Sequence, residues 1–142
     1  MDPPCPFCRI VAGELETSIV YADERVLAFL DVHPINPGHV LVVPRTHTPR
    51  VRDLVPEDAA AVWDTALRVA RALPNAGVRM EGLNLLLADG ASAGQDVFHA
   101  HLHVVPRFAG DGFGFHRGPE NQRRAERLEL DAVAGRMRAA LA

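Results

Sequence analysis

The sequence predicts a single domain of mixed strands and helices, and three observations carry that prediction. Apolar and β-branched runs of strand length recur along the chain, a helical period appears at Pro56–Leu73, and His99, His101 and His103 alternate with Ala100, Leu102 and Val104. Successive side chains of a strand point to opposite faces, so the three imidazoles share one face and the apolar residues pack on the other. The chain has 142 residues with 48% apolar content, enough to bury most of its hydrophobic surface in one core without disulfides.

Taken in order, Cys5-Pro6-Phe7-Cys8 opens the chain, and Arg9–Gly13 has room for a single helical turn stopped by the glycine. Ser18–Tyr21 and Val26–Leu30 are β-branched and aromatic runs separated by four residues, which reads as a hairpin. Two prolines and a glycine between Asp31 and Gly38 make that stretch a loop, and His39–Pro44 is too continuously apolar for a sheet edge. His47 follows in a short polar connection. Pro56–Leu73 places Ala59, Val62, Trp63, Ala66, Leu67, Ala70 and Leu73 on one helical face, with Glu57, Asp58, Asp64, Arg68 and Arg71 off it. Pro56 suits the first helical position, and Trp63 reads as core or dimer packing. Leu83–Leu87 is a further strand. Asp89–Asp96 is a two-glycine loop placed directly before the histidine strand, where glycine's positive φ lets backbone N–H groups converge on an anion. After Pro106 comes a glycine-rich segment with Phe113 and Phe115, and then a second amphipathic helix at about 121–141, carrying Leu130, Val133, Ala134, Met137 and Leu141.

A net charge of −3, with bases scattered among acids, gives no electrostatic footprint for nucleic acid or an anionic membrane. No apolar run approaches a transmembrane span, and Met1–Cys5 lacks the basic and apolar regions of a secretory signal, so the expected location is the cytoplasm. All fifteen basic residues are arginine. A Gly-Lys-Ser/Thr phosphate loop and a lysine Schiff base are thereby excluded, because guanidinium cannot replace the amine. The two cysteines, Cys5 and Cys8, are compatible with half of a zinc site, a redox dithiol or idle thiols. Almost nothing precedes Cys5 to form the strand that a thioredoxin-type motif requires.

The alternating histidines admit three chemistries. They can bind a metal, although the glutamate that a cupin would usually supply a few residues later is missing from Val104–Phe108. One can serve as base to a serine, but Ser18 and Ser92 are the only serines and neither sits in a nucleophile elbow. Or the middle imidazole, His101, can itself attack phosphorus while its neighbours and the glycine loop bind the phosphoryl oxygens. That last role needs a neutral ring whose other nitrogen donates to a carbonyl.

The signature His99–Val105, together with Val26–Asp31, Pro37–Pro44 and Ala93–Phe98, resembles the histidine triad (HIT) family from Cys5 to about Asp111. The resemblance implies an α+β fold with a five-stranded antiparallel sheet, usually a homodimer, that binds a purine nucleotide and acts at its α-phosphate through a nucleotidyl-histidine. Its substrates would be nucleoside 5′-phosphoramidates or dinucleoside polyphosphates. The alternatives are a nucleotide-binding regulatory module and a phosphorylase of dinucleoside polyphosphates. By the same resemblance His101 is the nucleophile, His103 the flanking histidine at the phosphate and His39 the histidine behind the triad strand. Asp31 binds the ribose hydroxyls, and Gly94, Gln95 and Asp96 form the phosphate loop. Asp96 departs from the hydroxyl residue of well-known eukaryotic members, and Ala88 from the Asn or Gln of many relatives. A carboxylate at 96 would repel phosphate, so either its side chain turns away or only its N–H contributes. Cys5, Cys8, His47 and His99 match the branch whose zinc is structural, four protein ligands leaving no open position.

Overall fold

The computed structural model describes residues 4–142, so the reading of an N-terminus without a secretory signal falls partly outside the described residues. Two compact units divide at Asp111, the second running from Gly112 to Ala142. The first unit carries every strand. Its elements are α1 (Pro6–Val11), β1 (Ile19–Ala22), β2 (Val26–Leu30), β3 (Val40–Pro44), α2 (Pro56–Ala72), β4 (Gly82–Leu86) and β5 (Leu102–Arg107). The strands form one sheet in the order β1-β2-β3-β5-β4, and each neighbouring pair is antiparallel.

Local chemistry explains the hairpin. Asp23 Oδ1 accepts from the N–H groups of Arg25 and Val26 at 2.8 and 2.9 Å, closing the β1–β2 turn, and those donors hold its carboxyl below the usual range. β3 lies centrally and every residue in it is buried, as its unbroken apolar run predicts. It is launched from Gly38, whose φ of +93° only glycine adopts freely, and a Cβ there would lie 2.7 Å from a Val78 methyl.

One face of the sheet packs on α2, with Val26, Ala28, Val40, Val42, Leu102 and Val104 meeting Val62, Ala66, Val69, Ala70 and Leu73. Burying each of the larger aliphatic side chains contributes about 1.5–3 kcal/mol. The packed face of α2 is rotated from the sequence expectation. Asp58 is buried against Arg25, whose Nη1 lies 2.8 Å from its Oδ1, and Thr65 and Val69 are buried as well. Trp63 is 53% exposed and so does not belong to this chain's core. It lines a shallow apolar hollow with Val51, Leu54, Leu85 and Leu87 beside β4, the edge strand.

The other face carries Leu27, Phe29, Leu41 and Val43, capped by Phe7 of α1. His39 precedes Leu41 and Val43 at the same two-residue spacing, and His103 pairs across to Leu41, so the histidines belong to this face. β5 is shorter than the histidine run: pairing begins at Leu102, while His99 and His101 lie in the extended approach, whose Ala100 N–H donates to Thr48 O at 2.7 Å. Alternation persists there, because Ala100 is as buried as Leu102 and Val104.

In the second unit the C-terminal helix, α3, spans Arg127–Leu141 and starts six residues later than its pattern predicts. Pro119–Asn121 forms a separate 3-10 turn, and Glu126 is extended, which ends any continuous helix before Arg127. Among the described residues no helix is long and apolar enough to cross a membrane.

Candidate functional site

Two clusters grow from the histidine face, and backbone carbonyls decide what each ring can do. His101 Nδ1 lies 2.8 Å from His99 O. A carbonyl only accepts, so Nδ1 carries the proton and Nε2 keeps its lone pair. No protein partner meets that Nε2 among the described residues. The ring is buried and held edge-on by Phe7, with centroids 5.1 Å apart, and by His103 at 4.9 Å. In its neutral form the ring therefore has one fixed proton and one lone pair, and it could act as a nucleophile only through Nε2.

The second ring is set by a relay. Ile35 N–H donates to His39 Nδ1 at 3.0 Å, which places the His39 proton on Nε2, and Nε2 lies 2.9 Å from His103 Nδ1. His103 therefore accepts on Nδ1 and carries its own proton on Nε2. Burial pushes His103 down to about 4, reinforced by His101 and His39. Burial also lowers His39, against the opposing pull of Asp31. Both rings are neutral near pH 7, and the chain of donors ends in an N–H beside His101, placed to donate to an anionic oxygen.

Asp31 stands at the end of β2, its backbone N–H donating to His39 O at 2.9 Å. Its Oδ1 accepts from His33 N–H at 2.9 Å and its Oδ2 lies 3.6 Å from His39 Nε2. Asp31, His39 and His103 bring ligand-type atoms together. They do not suit a metal, because a cation on His39 Nε2 would force the proton onto Nδ1, against the Ile35 N–H.

Asp31, His101 and His103 line a cavity of about 520 Å³ whose walls include Phe7, Ile10, Phe29 and Val97. That volume suits a small ligand, and the lining is apolar with a few convergent polar groups.

The glycine loop is arranged differently from the sequence expectation. Gly94, at φ +90°, donates its N–H to Ala91 O at 3.0 Å, and Gln95 donates its N–H to Gly90 O at 3.1 Å. The buried Gln95 side chain accepts from Gly90 N–H at 2.8 Å and donates to Pro49 O and Val97 O at 2.7 and 3.0 Å. Gly94 and Gln95 thus supply no donor to the cavity in this structure; Gln95 staples the loop instead. Asp96 does reach the cavity. Its Oδ1 accepts from Val97 N–H at 2.9 Å, and its own N–H meets no protein acceptor among the described residues.

The other cluster joins Cys5, Cys8, His47 and His99, residues up to 94 positions apart. His99 Nε2 lies 2.7 Å from Pro44 O, so this ring donates from Nε2 and turns its Nδ1 lone pair outward from the sheet. That Nδ1 lies 3.4 Å from Cys5 Sγ, 3.6 Å from Cys8 Sγ and 3.3 Å from His47 Nδ1, and His47 Nδ1 lies 3.3 Å from Cys8 Sγ. Around a tetrahedral zinc with bonds of ~2.3 Å to sulfur and ~2.05 Å to nitrogen, the ligand atoms would stand ~3.6 Å (S to N) and ~3.3 Å (N to N) apart. The four residues fit such an ion. Burial and the neighbouring Cys5 raise the Cys8 thiol to about 11, a pressure that a bound dication would reverse.

Sequence reasoning missed Phe7, which braces both His99 and His101, and the three backbone groups of Pro44, His99 and Ile35 that choose the tautomers. Backbone groups leave no residue-type signal, and Phe7 was hidden inside the C-x-x-C motif.

A five-stranded antiparallel sheet whose histidine face carries a buried His101 beside a cavity, next to a Cys₂His₂ cluster, defines the class of protein by its fold and its histidines. The chain belongs to the HIT family, whose domain profile matches residues 12–110. It is 44% identical over 111 residues to Protein hit of Bacillus subtilis, covering 78% of this chain and 76% of that one. It is 36% identical over 103 residues to adenylylsulfatase HINT3 of Arabidopsis thaliana, covering 72% of this chain and 52% of that one. The crystal structure of a Zn-bound histidine triad protein from Mycobacterium smegmatis superposes with a TM-score of 0.74 at 40% identity, covering 96% of this chain and 97% of that one.

Proposed function

We propose that the protein is a nucleotidyl hydrolase or transferase acting at the α-phosphate of a purine nucleotide carried on a leaving group, through a nucleotidyl intermediate on His101. The observation that carries this reading is the His101 Nδ1–H donated to His99 O, which leaves the lone pair of the neutral ring on Nε2, in a residue that lines a cavity of about 520 Å³. Adenylylsulfatase activity in the name of the Arabidopsis relative supports the reaction type.

In the first step His101 Nε2 attacks phosphorus, and the bond from phosphorus to the leaving group breaks. An amine leaving group takes one proton from solvent as it departs. Water then attacks the nucleotidyl-imidazolium, releasing the nucleoside monophosphate and returning one proton to solvent, so His101 ends neutral with its Nδ1 proton kept throughout. His103 Nε2–H and the Asp96 N–H bind the phosphoryl oxygens, and Asp31 accepts from the ribose hydroxyls. Cys5, Cys8, His47 and His99 would hold zinc, whose contribution is structural: it ties α1 to the approach of β5. The exposed Trp63, with Leu85 and Leu87 at the free β4 edge, supports assembly as a homodimer.

Rapid-quench intact mass with an adenylated amine should show a transient adduct of one nucleoside monophosphate on wild type and none on His101→Ala. Turnover in ¹⁸O-water should place one ¹⁸O in the released nucleotide. Full turnover without an adduct would refute the intermediate. A phosphorylase would instead yield unlabelled nucleoside diphosphate in phosphate buffer.

A further inference from the structure

Beyond the cavity that takes the nucleotide lies a second one of about 580 Å³, walled by Cys5, His47, Pro49 and Phe98, and Asp96 and Val97 line both. A substrate whose nucleoside fills the first and whose phosphorus stands beside His101 must pass its leaving group over this shared rim to enter the second. Asp96 is exposed there. One carboxylate oxygen accepts from Val97 N–H, and the other has no protein partner among the described residues. Its field reaches the cleft, since it acts on His103.

Among the described residues no cation is paired with that carboxylate. No arginine lines either cavity among the described residues, the chain contains no lysine, and Arg50 and Arg52, which follow Pro49, are both paired with Asp89. Two thiolates and two neutral imidazoles around a dication would add no net charge to the wall formed by Cys5 and His47. A polyphosphate leaving group would therefore set several negative charges against a carboxylate with no compensating partner, whereas an amine would meet either no penalty or an attraction.

We infer that Asp96 is a specificity-determining residue that selects the leaving group by charge, favouring an amine on phosphorus, above all one with a cationic tail, over a polyphosphate. This inference rests on the proposed nucleotidyl transfer and narrows its substrate class to phosphoramidates. The α-phosphate itself is tolerated because the Asp96 backbone N–H faces it while the side chain is turned back onto Val97 N–H.

The test uses the full chain and three compounds: adenosine 5′-phosphoramidates of 1,4-diaminobutane (cationic tail) and of propylamine (neutral tail), and diadenosine tetraphosphate. Wild type should rank them in that order by kcat/KM. Asp96→Asn, which keeps the backbone donor and the Val97 contact, should remove a cationic-over-neutral preference of about three- to fivefold, and the wild-type preference should shrink in ~0.5 M salt. The same variant should raise turnover of the tetraphosphate. A cationic-to-neutral ratio that is unchanged in Asp96→Asn, or a wild type that prefers the tetraphosphate, overturns the inference while leaving the nucleotidyl-transfer reading intact. If wild type turns over none of the three, that reading falls instead. Calorimetric binding of the same compounds to wild type and Asp96→Asn then decides whether the charge preference exists and whether Asp96 causes it.

Discussion

His99 and His101 sit two residues apart on the same face of the same chain segment, yet they point opposite nitrogens at opposite tasks. His99 gives its Nε2 proton to Pro44 O and offers Nδ1 to two cysteines and His47; His101 gives its Nδ1 proton to His99 O and offers Nε2 to the cleft. Residue type and sheet face are shared. What differs is which carbonyl lies against each ring, and an imidazole that donates from one nitrogen can act as a nucleophile or ligand only through the other. Two neighbouring histidines can therefore present different nitrogens to different surroundings, so that, in the proposed function, a zinc ligand and a nucleophile would stand side by side without competing.

The largest effect that would break this comparison is a crossing of phenotypes. His101→Ala should lower turnover by roughly 10³-fold or more while zinc content stays near wild type, because the ring meets the Cys/His cluster only through the backbone carbonyl of His99 and supplies none of its four ligand atoms. His99→Ala should do the reverse, losing most of the zinc and several degrees of melting temperature, with turnover per folded, nucleotide-bound molecule much less affected. Zinc analysis, thermal melts and single-turnover rates on both variants check this. If His99→Ala abolished chemistry in a folded protein and added zinc restored it, the separation of roles would be wrong.

A smaller effect tests the loop that joins the two regions. Gln95 bridges Gly90, Pro49 and Val97, so Gln95→Leu leaves the Gly90 N–H and two carbonyls without partners and should cost about 1–3 kcal/mol of stability. If Gln95 is a staple and touches no phosphate, nucleotide affinity should fall mainly through loop disorder, and amide exchange at Gly90 and Val97 should accelerate. Loss of affinity with the loop still protected would restore the direct phosphate contact read from the sequence.

The smallest effect sharpens the comparison through pH. His103 is held down to about 4, below its value near 6.5 in an unfolded chain, so on acidification the unfolded state takes up the proton first. Its contribution to stability is fully present above pH 6.5 and is lost progressively as pH falls from about 6.5 to about 4. In zinc-loaded protein, His103→Asn should flatten the fall of denaturation free energy across that window. An identical slope in wild type and variant would mean that His103 titrates normally.

The sequence by itself determined the period of each element, and with it the five strands, the main helix and the common face of the three histidines. Those properties are local: side-chain alternation, helical repeat, and the φ demands of proline and glycine act within a few residues. It also determined, through its likeness to the HIT family, which residues to watch. The α2 face went astray at Asp58 because periodicity cannot see Arg25 arriving from the β1–β2 turn, and of the two readings of Trp63 the core one fails, because periodicity cannot see a hollow beside a sheet edge. The helix expected at about 121–141 went astray because composition does not locate the extended residue that precedes Arg127. Only the tertiary structure decided that Gln95 is a staple, that Phe7 braces His101, and which nitrogen of each imidazole is free. Those outcomes depend on carbonyl and amide groups brought from distant parts of the chain, and every residue type carries the same backbone groups, so no sequence pattern can mark them.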